Sequence, residues 1–296
     1  MRALLLVLAS ASAASSPPRE ESNATAPRVV FKSMIRTGSR SAHARIDAAL
    51  GAGNYDYVGE PFPLVRGANS FVIAGARAPC DWLLSAWTWA SSGRGAVFRR
   101  CSERDDARRP TWAPLFPTDG DLRSAEAVET FRAWVMAHPG LMTRWYADAL
   151  APPRDSEAFD FDFCAWRDDD GSRAARLDAA FADGGPVDCW VRTPSLDADL
   201  DRCLEAAAAR GVVVDADNRR RSGAVYDRDA RDGAPRYALR NQGGSSNASP
   251  PRAACATYFD VKLLAFVEES ERAVIEALGF GSGDCCARAA GDHREL

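Results

Sequence analysis

Residues 29–46, Val-Val-Phe-Lys-Ser-Met-Ile-Arg-Thr-Gly-Ser-Arg-Ser-Ala-His-Ala-Arg-Ile, constrain the fold of this chain more than any other stretch. An apolar β-type run passes through a loop of Gly, Ser, Thr and Arg and then into a helical pattern. Backbone N–H groups of such a loop, aimed together with the N-terminus of the following helix, make a site for an anion such as a phosphate. The stretch predicts a strand, an anion-binding loop and a helix in direct succession.

Further strand signals fall at 69–75 and 187–192, with the first strand at 28–33. Helical patterns fall at 41–50, 79–89, 124–138, 143–150, 195–211 and 260–278. Strands alternating with helices predict an α/β chain, specifically a P-loop-like three-layer fold with a central parallel sheet flanked by helices. With 296 residues and no long low-complexity linker, one domain is expected. Residues 219–251 are dense in Arg, Asp, Gly, Ser and Pro and read as a long loop or a partly disordered insertion.

The N-terminal residues 1–16 read as a secretory signal, with Arg2 ahead of an apolar run and a small-residue cleavage site, an uncleaved anchor being the alternative. Residues 17–27 read as a flexible lead-in, 28–281 as the domain and 282–296 as a polar tail. Eight cysteines (Cys80, Cys101, Cys164, Cys189, Cys203, Cys255, Cys285 and Cys286) suit an oxidising compartment, with pairings that spacing leaves open. Asn23 and Asn247 head glycosylation sequons. A soluble protein of the secretory pathway, in the Golgi lumen or secreted, is the expectation.

A net charge of −4 gives no global field for capturing nucleic acid or an anionic membrane, so any anion specificity must be local. Only Lys32 and Lys262 are lysines among 37 basic residues, so arginine carries the positive charge. The three histidines and the cysteine spacings show no zinc pattern, and Asp160, Asp162 and the Asp168-Asp169-Asp170 run lack the spaced ligands of a calcium loop. No metal is expected.

A second motif strengthens the first. Residues 70–87 run from a buried strand into Arg77-Ala78-Pro79 and then a helix bearing Ser85, eight residues past the arginine. At the carboxyl ends of neighbouring parallel strands, Arg77 and Ser85 would grip a second anion beside the loop of residues 35–41. Two such grips suit a nucleotide with two phosphate-type groups. Trp82, Trp87 and Trp89 read as helix packing, with Trp89 placed to face a cleft.

These motifs resemble the sulfotransferases that use 3'-phosphoadenosine 5'-phosphosulfate, in particular the luminal carbohydrate type. Ile35-Arg36-Thr37-Gly38-Ser39-Arg40-Ser41 is similar to that family's 5'-phosphosulfate loop, and Arg77-Ala78-Pro79 through Ser85 to its 3'-phosphate segment. Val187-Asp188-Cys189-Trp190-Val191-Arg192-Thr193-Pro194-Ser195-Leu196 resembles a third family stretch, and the segment from Asn247 through Arg252 and Tyr258-Phe259-Asp260 to Gly279-Phe280 resembles the family's close. The matches keep their order over residues 29–280. Arg36 stands where the family has lysine, Ile35 where it has proline, and Pro194 where it has glutamate. An arginine keeps the cation but replaces a point charge by a planar fork.

The resemblance implies sulfuryl transfer from 3'-phosphoadenosine 5'-phosphosulfate to a hydroxyl, most fittingly on a carbohydrate, with no metal and no nucleic-acid partner. Arg36, Thr37, Gly38, Ser39, Arg40 and Ser41 would hold the 5'-phosphosulfate, Arg77 and Ser85 the 3'-phosphate, and Arg252 would clamp from the late loop. Lys32 is an alternative source of an ammonium. Glu60, between the two grips, is the expected general base, and His43 lies just inside the first helix as another catalytic candidate. A P-loop-like small-molecule kinase is the rival enzyme class, but the loop lacks Gly-x-x-x-x-Gly-Lys-Ser/Thr. A sulfotransferase-like binding protein without turnover is the non-enzyme alternative.

Overall fold

A computed structural model describes residues 27–51, 53–59, 64–93, 116, 120–150, 172–182, 184–214 and 252–281. The N-terminal signal and sequons, Glu60, most of the segment 90–122, the acidic run at 168–170, the loop 219–251, the polar tail from 282 and the four cysteines Cys101, Cys164, Cys285 and Cys286 lie outside the described residues.

The chain order is β1 (Arg28–Lys32), α1 (Ser39–Leu50), β2 (Asp56–Val58), β3 (Ser70–Ala76), α2 (Pro79–Ser91), α3 (Ala125–Ala137), α4 (Leu141–Leu150), α5 (Ser172–Phe181), β4 (Cys189–Arg192), a single 3-10 turn (Thr193–Ser195), α6 (Leu196–Ala209), α7 (Cys255–Tyr258), α8 (Val261–Ser270) and α9 (Arg272–Leu278). The strands form one sheet in the order β2-β1-β3-β4, every pair parallel. The expected α/β layering is present: a central parallel sheet with helices on both faces.

Alternation along β1 shows how the layers form. Val29 and Phe31 join Ile46 of α1 and Leu200 and Leu204 of α6 on one face, while Val30 joins Trp82, Trp87 and Phe131 on the other. Both faces are apolar, so β3 is buried from Phe71 to Ala76, as a central parallel strand should be. α2 is buried almost throughout, opening on Pro79 and packing Trp87 edge-on to Phe131 at 5.4 Å. Arg45, buried on α1, pairs with Asp197 and Asp201 of α6 and ties the first layer together.

Three expectations needed adjustment. β2 and α5 (Ser172–Phe181) add to the expected elements. β2 is three residues long and is ordered by pairing Val30, Phe31 and Lys32 with Asp56, Tyr57 and Val58. The single terminal helix expected at 260–278 is two helices, α8 and α9, broken at Glu271. That break has a purpose: Glu271 is turned inward, and its carboxylate accepts the N–H groups of Met142 (3.0 Å) and Thr143 (2.7 Å) at the start of α4. It satisfies two of the amides that a helix start leaves without partners.

A disulfide joins Cys189 of β4 to Cys203 of α6, and Cys80 and Cys255 are also disulfide-bonded. No helix among the described residues is long and apolar enough to cross a membrane.

Candidate functional site

After β1 the chain turns to one side and lays down β2; it then crosses to the other side of β1 for β3. The carboxyl ends of β1 and β3 are thus the point where the strand order reverses, the place where open parallel sheets form a crevice. β1 and β3 are in register from Arg28 with Ser70 to Lys32 with Ala74. The loop 33–38 and Arg77 therefore emerge side by side.

The loop is held from below by its carbonyls. Thr37 Oγ1 and Ser39 Oγ each donate to the Met34 carbonyl at 2.8 Å, Trp82 Nε1 to that of Ile35 at 2.8 Å, and Arg77 to that of Arg36 at 3.1 Å. Gly38, the residue before α1, has φ 76° and provides no side-chain cap. Ser41 and Ala42 donate to its carbonyl, which leaves the first amides of α1 as the polar groups presented to a ligand. A Cβ on Gly38 would come within 3.1 Å of Leu196 Cδ1 and would meet the left-handed backbone penalty as well.

Gly75 has a different reason to be glycine. A Cβ there would collide with Thr37 Oγ1, and that hydroxyl is buried and committed to Met34. Gly75→Ala is expected to cost about 1–3 kcal/mol of stability. Thr37→Ala removes the colliding oxygen, so the double variant should recover part of that loss in a urea-denaturation cycle. Simple additivity of the two losses would show that this contact is not what demands glycine.

The residues expected to form the second grip lie alongside. Arg36 is the sole non-glycine residue with positive φ among those described, at 60°. Its Nε donates to Ser85 Oγ at 2.9 Å, and its guanidinium carbon lies 4.5 Å from the centre of the Trp89 ring. One turn along α2, Thr88 Oγ1 meets Arg252 at 3.5 Å. Burial pulls the Arg252 guanidinium below its usual range, opposed by the charge of Asp81. Ser85, Thr88 and Trp89 thus gather Arg36 and Arg252 on one side of α2.

The floor was not foreseen. Tyr146 of α4, fully buried, donates its hydroxyl to the Gly75 carbonyl at 3.2 Å. Thr193 donates to the Ala76 carbonyl at 3.0 Å and lies against Gly38. Asp199 accepts from the Arg192 N–H and Nε at 2.9 Å and from the Ser195 hydroxyl at 2.8 Å, fixing the turn that contains Pro194. Burial raises the Asp199 carboxyl, but these hydrogen bonds outweigh it and hold the group below its usual range. The four-residue step from Ser195 to Asp199, one helical turn, was the available signal.

The other candidates scatter. Arg40 is exposed and Ser41 half-buried in the first turn of α1. Lys32 is wholly buried and donates to the Gly59 carbonyl at 3.0 Å, at the end of β2. His43 faces the β2 edge, 3.5 Å from Asp47 and edge-on to Tyr57 at 4.6 Å, on the side of β1 away from Arg77. His138 is a buried helix end bonded to the Trp134 carbonyl. Among the described residues no three His, Cys, Asp or Glu side chains are grouped so that they could hold a metal ion.

Comparison with family models, with curated proteins and with solved structures finds no match for this chain.

Proposed function

We propose that this chain is a secretory-pathway sulfotransferase, moving a sulfuryl group from 3'-phosphoadenosine 5'-phosphosulfate to a hydroxyl, most fittingly on a carbohydrate, within a P-loop-like fold. One observation carries the reading: the Arg77 guanidinium is bonded to the carbonyl of Arg36, which puts the two anion grips in contact at the switch point of a parallel sheet. A ligand with two separate anionic groups fits that pairing better than a ligand with one. The amides at the start of α1 suit the 5'-phosphosulfate, and Arg77, Ser85 and Arg252 the 3'-phosphate.

Sulfuryl transfer resembles phosphoryl transfer in asking the protein mainly for positioning and charge stabilisation. The acceptor oxygen would attack sulfur as the bond to the 5'-phosphate oxygen breaks, and Glu60 is the residue proposed to take the acceptor proton. The Cys189–Cys203 disulfide agrees with an oxidising compartment. Titration calorimetry with adenosine 3',5'-bisphosphate tests the donor half: saturable heat is expected, and its absence from correctly folded protein would remove the assignment. A second reading, binding without turnover, draws support from the side chain of Arg36, which is engaged by Ser85 and Trp89. Radiolabelled sulfate transfer across acceptor classes separates the two.

A further inference from the structure

Among the described residues, the side-chain partners of the loop cation lie outside the loop. Arg36 sits three residues before the start of α1, where a cation would be expected to face the anion held by the helix amides. Its left-handed backbone is an unfavourable conformation for a residue with a Cβ, and it persists only where the surroundings impose it. Here they do. Arg77 holds the Arg36 carbonyl, Ser85 receives its Nε, and the Trp89 ring receives its guanidinium face. Every one of these partners follows β3, and none belongs to the loop or to α1.

We infer that Arg36 is a specificity-determining residue for the second anionic group, so that the chain selects a nucleotide phosphorylated at both ends over one carrying only the 5' group. This rests on the nucleotide reading above and reassigns one residue within it. Arg36 and Arg77 then act on the same anion, one from each strand end, while the 5' group is left to the amides opening α1. The flat guanidinium is essential to the arrangement, because it donates to Ser85 through Nε while its face lies on an indole. An ammonium can make either contact singly, but as a compact point charge it has no planar face with which to make both at once.

The test is calorimetric binding of adenosine 3',5'-bisphosphate and of adenosine 5'-monophosphate to the full chain and to its Arg36→Ala and Arg36→Lys variants, with folding checked by circular dichroism. The inference expects Arg36→Ala to weaken the bisphosphate by about 100-fold, the scale of a lost charged contact, and the monophosphate by less than about 3-fold. Arg36→Lys should fall close to the alanine variant, and it supplies the same comparison if the alanine variant does not fold. Equal weakening of both nucleotides returns Arg36 to the first grip, overturning the inference and leaving the nucleotide reading intact. A lysine variant with the full preference for the bisphosphate also overturns it. If the unaltered chain binds neither nucleotide, the nucleotide reading itself fails.

Discussion

Glu271→Ala is expected to cost about 3–5 kcal/mol of folding stability, read as a lower urea midpoint with an unchanged slope. The carboxylate is 1% exposed and takes two amide hydrogens at the start of α4, so truncation leaves both donors buried without a partner and opens a cavity beside them. α4 also carries Tyr146, whose hydroxyl meets the Gly75 carbonyl under the proposed anion site. A loss below about 1 kcal/mol would mean that the α4 amides find other partners, and that this contact is not what fixes α4.

The same group gives a pH signature. Burial pushes the Glu271 carboxyl up to about 7, against the pull of Thr143, the Met142 N–H and the charge of Arg144. With the folded value above the unfolded one, its contribution is complete below about pH 4.5 and is lost as pH rises through about 7, on the order of 3 kcal/mol in total. His138 runs the other way: burial lowers it to about 4, so its contribution is present above about 6.5 and is lost as pH falls. Glu271→Gln keeps the shape and one acceptor but does not titrate. The stability of the unaltered chain relative to this variant should fall steadily between pH 4.5 and 7. A difference that stays flat across that window would show that Glu271 does not carry the shift.

Arg77→Ala is expected to weaken adenosine 3',5'-bisphosphate binding by about 2–5 kcal/mol with little change in melting temperature. Two losses combine. The guanidinium is the central cation proposed for the second anion, and it also holds the Arg36 carbonyl that shapes the loop. Arg40→Ala makes the comparison, since Arg40 is exposed and contributes only a screened charge at the start of α1. Equal effects from the two variants would mean that the anion lies over α1 alone and that the second grip is not one.

Much of the layout was legible because it rests on local patterns. The apolar run before residue 33, the Thr-Gly-Ser turn and the strand ending at Arg77 each announce themselves within a few residues. Their meeting could be anticipated from the parallel alternation of strands and helices. The supports of the site were not legible, because they come from far along the chain: Trp82 for the Ile35 carbonyl, Tyr146 for Gly75, Thr193 for Ala76 and Glu271 for α4. An aromatic residue in a helix reads as packing whether or not its one polar atom finds a carbonyl. Arg36 shows the limit most sharply, since its place in the loop suggested the anion at α1 and its side chain is instead directed to Ser85 and Trp89. His43 looked well placed by chain position alone, yet its side of α1 takes it to the β2 edge.

Donors from the loop itself, from α2 and from the end of β3 claim three successive carbonyls, at Met34, Ile35 and Arg36. The cradle is therefore shaped during folding, and an anion bound as proposed would meet amides already aimed at it instead of having to order them. Recognition and stability are coupled in consequence: whatever loosens α2 against β1, however remote from the crevice, also blurs the aim of those amides and should register as lost affinity before the chain unfolds.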